Sequence, residues 1–145
     1  MTVRRPESVL VVVYTTAGEA LALRRCQPFD FWQSVTGSLE PDETPAQTAR
    51  RELYEETGID AGDALLDTGV SRVFIIDPRW RNRYAPGVTE NTEWEFHLRL
   101  PERCPIELQA SEHSEYAWLP IDVAAERFWS WTNREALLAL PTHGR

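Results

Sequence analysis

The chain has 145 residues, 42% of them hydrophobic and 26% charged, with a formal net charge of −8. This suits one soluble globular domain, residues 1–145, with an ordinary core. The negative charge argues against a nucleic-acid surface, because phosphate backbones recruit Lys and Arg; a small phosphate compound would need a cation, such as a divalent metal, between it and the protein.

Arg4-Arg5-Pro6 lead into the apolar run Val9 to Val13. That run is far short of the roughly 20 residues needed to span a bilayer. No small-residue cleavage site follows soon after it, so Ser8 to Tyr14 is expected as a buried strand and the cytoplasm as the default location. Gly18-Glu19 marks a turn, and Ala20 to Arg24 reads as the returning strand. Leu21 and Leu23 share one of its faces, with Arg25 two positions beyond. Phe31 to Thr36 is a short aromatic-rich extended piece, and Val70 to Ile76 is a further strand. Asp77 to Thr92 carries Pro78, Pro86, Gly87, Asn82 and Asn91 and reads as a long loop, often a functional feature in a compact domain. Glu93 to Leu100 alternates: Trp94, Phe96, Leu98 and Leu100 on one face, Glu93, Glu95, His97 and Arg99 on the other. Tyr116 to Leu119 is a short strand ended by Pro120. Cys26 and Cys104 fit no paired motif and read as free thiols of a reducing compartment. His97, His113 and His143 have no zinc spacing.

Two helices carry terminal signals. The first has Thr44 as N-cap, Pro45 at the first helical position and Gln47 three residues after the cap, with Gly58 past its end, so it should run from Pro45 to Thr57. The second has Thr132 as N-cap with Glu135 three residues later. Strands interleaved with helices predict a mixed-sheet α/β domain with helices on its faces.

Within the first helix Glu52, Glu55 and Glu56 are spaced i, i+3, i+4 and share one face, beside an apolar stripe of Ala46, Ala49 and Leu53. They lie near the negative end of the helix, where carboxylates are disfavoured. Repulsion of about 0.2–0.5 kcal/mol per like-charged pair is easily tolerated. Two readings stay open at this level: a solvated acidic face with Arg51 and Glu55 as an ordinary pair, or a Mg²⁺ site, since that hard cation binds through one or two carboxylates plus substrate phosphates.

The order of the longer segment adds to this. Gly37 is followed after five residues by Glu43, after seven more by Arg51-Glu52-Leu53, and then by Glu55-Glu56 and Gly58-Ile59. This resembles the signature of the Nudix hydrolase family, over residues 37–59. Seven such identities would coincide by chance on the order of once in a hundred million starting positions. The resemblance implies an α/β/α sandwich around a central mixed sheet and pyrophosphate hydrolysis with Mg²⁺, for which Mn²⁺ can substitute. It implies Glu52 and Glu56 as metal ligands with Glu55 assisting, Glu43 and Arg51 as a structural pair, and Gly37 and Gly58 as backbone-permissive positions.

Outside the box, the stretches Asp30–Glu40, Asn82–Trp94, Glu112–Leu119 and Trp129–Leu137, with Arg4-Arg5-Pro6, resemble a bacterial branch of the family. That branch removes pyrophosphate from a pterin triphosphate in folate synthesis. This implies a small-molecule triphosphate as partner, without nucleic acid or membrane. It implies substrate contacts at Arg4, Arg25, Thr36 and Ser130, and a further metal ligand or general base at Glu112. Strand alternation favours Arg25 over Arg24. Each position also has a plainer reading: a frayed end for Arg4, a surface ion pair for Arg25, a strand residue for Thr36, a loop donor for Ser130 and a solvated acid for Glu112. Trp32, Trp80, Trp129 and Trp131 would stack on a pterin or, as the favoured reading, pack internally. The competing functions are hydrolysis of dATP or an oxidised purine triphosphate, a non-catalytic nucleotide-binding module, and a purely structural acidic helix. The oligomeric state is left open.

Overall fold

The computed structural model describes residues 3–140; His143 therefore lies outside the described residues. At the centre is β1 (Glu7–Thr15), whose Val9 to Tyr14 are buried on both faces, as a continuous apolar strand of an α/β sheet must be. One edge of β1 runs parallel to β6 (Glu90–Leu100), in register from Glu7 opposite Thr92 to Thr15 opposite Leu100. The other edge is shared. β4 (Val35–Ser38) pairs antiparallel with Ser8 to Val11, while β2 (Glu19–Arg25) takes over at Tyr14. The sheet therefore forks along this edge, and β2 continues to β3 (Phe31–Gln33) and β7 (Glu115–Pro120). β5 (Leu66–Ile75) pairs with the far side of β6.

Alternation along β1 and β2 builds a core on each face. Val9, Val11, Val13, Leu21 and Leu23 pack with Ala49 and Leu53 of α1 (Pro45–Thr57), while Leu10, Val12, Tyr14, Ala20 and Ala22 pack against α2 (Ile121–Arg127) and α3 (Trp131–Leu138). The result is the expected α/β/α sandwich around a mixed sheet.

α1 has the predicted bounds. Gln47 N–H donates to Thr44 Oγ1 at 3.2 Å and Thr44 N–H to Gln47 Oε1 at 3.0 Å, and Gly58 closes the helix at φ 80°. Two expectations need correction. The N-cap of α3 is Ser130, whose hydroxyl accepts from Thr132 N–H; Thr132 itself is buried inside the first turn. The stretch from Asp77 to Thr92 is not all loop, because Asp77 caps a 3₁₀ turn over Pro78–Arg83 and β6 already begins at Glu90. On the polar face of β6, Asn91, Glu93 and Glu95 are buried, each at most 5% exposed. α2, which starts at Pro120 without a side-chain cap, had no sequence signal. Among the described residues no helix is long and apolar enough to cross a membrane, and Cys26 and Cys104 are unpaired.

Candidate active site

The fork between β4 and β2 opens into a cavity of about 470 Å³, lined by residues that include Ser8, Thr36, Gly37, Glu52, Glu56 and Glu112. α1 delivers Glu52 and Glu56 to its floor, one turn apart on the same face. Glu56 is only 2% exposed. Burial, the Glu52 carboxylate and then Glu112 push its pKa well above the usual carboxylate range. Burial likewise pushes Glu52 up to about 7, with Arg51 pulling the other way and Glu55 and Glu112 adding repulsion.

Arg51 Nη1 stands 3.5 Å from Glu52 Oε2, but among the described residues no charged protein cation meets Glu56. Glu56 Oε1 has no hydrogen-bond partner, and His113 Nε2 is 3.9 Å away. His113 is itself buried, bonded to Gln33 Nε2 at 3.2 Å, and held down to about 4 by burial and by Arg25, so it is neutral at pH 7. A buried, mutually repelling carboxylate pair with an orphaned oxygen fits a divalent cation. Glycine at 37 belongs to the same design. A Cβ there would stand 1.9 Å from Glu52 Oε2 and 2.1 Å from its Cδ, whereas Gly58 is the position with left-handed φ. Gly37 is thus required for close approach and not for a special φ. Gly37→Ala should displace the Glu52 carboxylate and lower kcat/KM by about a hundredfold, with the melting temperature near that of the parent; steady-state kinetics across a metal titration check this.

Among the described residues no three Cys, His, Asp or Glu side chains form a ready-made metal cage. Glu112 lies in the turn before β7, exposed, lining the cavity and close enough to raise both Glu52 and Glu56 electrostatically, but it does not complete such a cage. That suits a cation bound partly through substrate phosphates. Glu55 does not line the cavity; it accepts from Arg51 Nη1 at 3.1 Å. Arg51 forks onto Glu43 through Nε at 2.7 Å and Nη2 at 2.8 Å and also reaches the Ser38 carbonyl, so the pair joins β4, the loop and α1. Glu43 also accepts from Glu40 N–H and the Thr48 hydroxyl.

The cationic side of the cavity comes from distant parts of the chain. Arg4 is not frayed: its N–H donates to the Arg83 carbonyl at 2.7 Å, and it lines the cavity. Arg25 lines it too, whereas Arg24 does not and is occupied by Asp30 and Glu115. Burial, together with Arg4 and Arg25, lowers the pKa of Arg83, so three guanidinium groups crowd here. Thr36 and Ser130 also line the cavity, although the Ser130 hydroxyl already caps α3 and meets Thr132 Oγ1 at 2.9 Å. Of the tryptophans, Trp32 packs on the core beside α2 and α3. Trp80 and Trp129 pack with Phe29 and Phe31, with centroids 5.2–6.0 Å apart, while also forming cavity wall with Trp131.

Sequence reasoning missed Arg83, His113, Asn91 and Glu93. Arg83 and His113 had no local signal. The place of Glu93 on the polar side of an alternating strand was visible, but its burial was not.

An acidic pair at the end of a sandwich helix, facing guanidinium groups across a forked sheet, defines a metal-assisted phosphate hydrolase, and the NUDIX domain family model matches residues 4–140. The chain belongs to the Nudix family and is a Nudix hydrolase. It is 45% identical over 138 residues to the dihydroneopterin triphosphate diphosphatase of Escherichia coli K12, covering 92% of this chain and 91% of that relative. The Haemophilus influenzae protein of the same name is 41% identical over 142 residues, covering 94% of this chain and 88% of the relative. The structure of the E. coli dihydroneopterin triphosphate pyrophosphohydrolase superposes with a TM-score of 0.88 at 44% identity, covering 95% of this chain and 96% of that one.

Proposed function

We propose that the chain converts dihydroneopterin triphosphate and water to dihydroneopterin monophosphate and pyrophosphate, with Mg²⁺ or Mn²⁺ as cofactor. The observation that carries the substrate is sustained likeness: 45% identity through 92% of the chain to an E. coli protein of that name. The chemistry is supported by a single cavity that holds Glu52, Glu56 and Glu112 together with Arg4 and Arg25.

Glu52 and Glu56, joined by Glu112, would hold the cation, which supplies charge neutralisation and a more acidic attacking water. Arg4 and Arg25 pair with non-reacting phosphate oxygens in bidentate fashion. Thr36 and Ser130 offer hydroxyls to the same chain of phosphates. Glu112 or Glu56 takes the proton from the attacking water, and Glu55, tied to Arg51, adds negative charge beside them. The cytoplasm, where a folate precursor and unpaired cysteines both belong, is the proposed location.

A substrate panel tests this reading. Dihydroneopterin triphosphate should exceed dATP and 8-oxo-dGTP in kcat/KM, and the first products should be pyrophosphate and a monophosphate. A preference of more than about tenfold for a nucleotide would overturn the pterin assignment; inorganic phosphate released first would overturn the reaction.

A further inference from the structure

β6 places Asn91, Glu93 and Glu95 on one face, the side away from the core that packs on α1. Their surroundings differ. Glu95 is fully partnered: Arg72 Nη1 meets one oxygen and His97 Nε2 the other at 2.6 Å. Although burial works to raise it, those bonds hold its pKa below the usual carboxylate range. Glu93 is 5% exposed and lines the cavity, yet its Oε1 has no hydrogen-bond partner. Burial pushes its carboxyl up to about 7, against the opposing pull of the Thr132 hydroxyl and Arg72, with Glu95 adding repulsion. Asn91 is 1% exposed, gives its Nδ2 to Ser8 Oγ at 2.8 Å, and leaves Oδ1 unpartnered; it too lines the cavity.

Two buried acceptors, next to each other on one strand face, thus open on the substrate cavity with no protein donor to meet them. Buried polar atoms are seldom left this way unless a ligand completes them. Ionised, Glu93 accepts only, as does the Asn91 amide oxygen, so the complementary edge must carry adjacent N–H donors. A 2-amino-4-oxo ring has that edge, with the ring N3–H beside the exocyclic 2-amino group. Adenine sets one amino group beside a bare ring nitrogen. Trp131 lines the same cavity and can offer a flat apolar face to a planar ring.

We propose that Glu93, with Asn91, receives the 2-amino-4-oxo edge of the pterin and so determines which ring the enzyme accepts. The inference rests on the pterin reading above and extends it from the phosphate end of the cavity to the ring end. Neither residue belongs to the α1 carboxylates that would hold the cation.

Glu93→Gln is nearly isosteric but replaces an acceptor with an NH₂ donor, which faces the pterin N–H groups badly and matches adenine well. The ratio of kcat/KM for dihydroneopterin triphosphate to that for dATP should fall by about tenfold or more, mainly through KM. Glu93→Asp, which keeps the carboxylate, should preserve most of the ratio. An unchanged ratio in a folded Glu93→Gln protein overturns the assignment. The unmodified enzyme gives a second arm that no folding defect can obscure. By calorimetry, pterin should bind about tenfold more tightly than lumazine, in which a carbonyl replaces the 2-amino group; equal affinity overturns the assignment. If the unmodified enzyme prefers dATP, the pterin reading fails separately, while the change of ratio in Glu93→Gln still decides the role of Glu93.

Discussion

Glu56→Gln should lower turnover by about a thousandfold or more, while making the metal-free protein more stable at alkaline pH. The first effect follows from the site. Interactions between a bound cation and developing phosphate charge contribute several kcal/mol, and each 1.4 kcal/mol is about tenfold in rate. The second follows from linkage. The folded pKa of Glu56 lies above its usual 4.5, chiefly through burial and then through Glu52 and Glu112. As pH rises through 4.5 the unfolded chain ionises first, so the folded state loses stability from there up to the raised folded pKa. A neutral amide of the same shape removes that penalty. Melts of the metal-free proteins should therefore coincide near pH 5 and diverge in favour of the variant near pH 8. Added Mg²⁺ should stabilise the parent more than the variant. Unchanged turnover with Mg²⁺ would remove Glu56 from the metal site, and an equal loss of stability at both pH values would make it a packing residue instead.

How far the sequence spoke depended on how local each signal was. The bounds of α1 were legible because the Thr44, Pro45, Gln47 and Gly58 signals act within a turn of the helix end. The shared face of Glu52 and Glu56 was legible for a related reason, since spacing along one helix fixes it, whereas the Glu43–Arg51 brace was legible only through the resemblance of residues 37–59 to the Nudix signature. α3 was misplaced at its start because Ser130 and Thr132 are both acceptable caps, and only the packed structure turns the Thr132 hydroxyl inward. The cationic rim was hard to read because Arg4, Arg25 and Arg83 come from three segments far apart in sequence that only the folded chain brings together. Alternation in β6 correctly separated its two faces. It could not report that Asn91, Glu93 and Glu95 on the polar one are buried, and this burial is what gives Glu93 and Asn91 their free acceptors.

Glu43→Ala should destabilise the fold by about 3 kcal/mol near neutral pH, and the difference should shrink as the solution is acidified. The fork of Arg51, reinforced by the Glu40 N–H and the Thr48 hydroxyl, lowers the Glu43 carboxyl from 4.5 to about 2, against the raising effect of burial. At about 1.4 kcal/mol per pH unit of displacement this corresponds to about 3 kcal/mol. Both side chains are less than a third exposed, at 18% for Glu43 and 29% for Arg51, so solvent screens the pair only partly. The sign is the reverse of that for Glu56. The folded pKa is depressed, so the stabilisation is fully present above pH 4.5 and is lost as pH falls through about 2. Urea unfolding of parent and variant should differ most near pH 7 and converge near pH 2; a difference independent of pH would mean that packing, not the charge pair, is what Glu43 contributes. Glu43 does not line the cavity, so a folded Glu43→Ala protein should keep more turnover than Glu56→Gln. Its remaining deficit should appear as weaker apparent Mg²⁺ affinity, because Arg51 ties the α1 turn that carries Glu52 to β4 through the Ser38 carbonyl. If Glu43→Ala instead matched Glu56→Gln in turnover with full Mg²⁺ affinity, Glu43 would have to be counted among the groups that act on substrate.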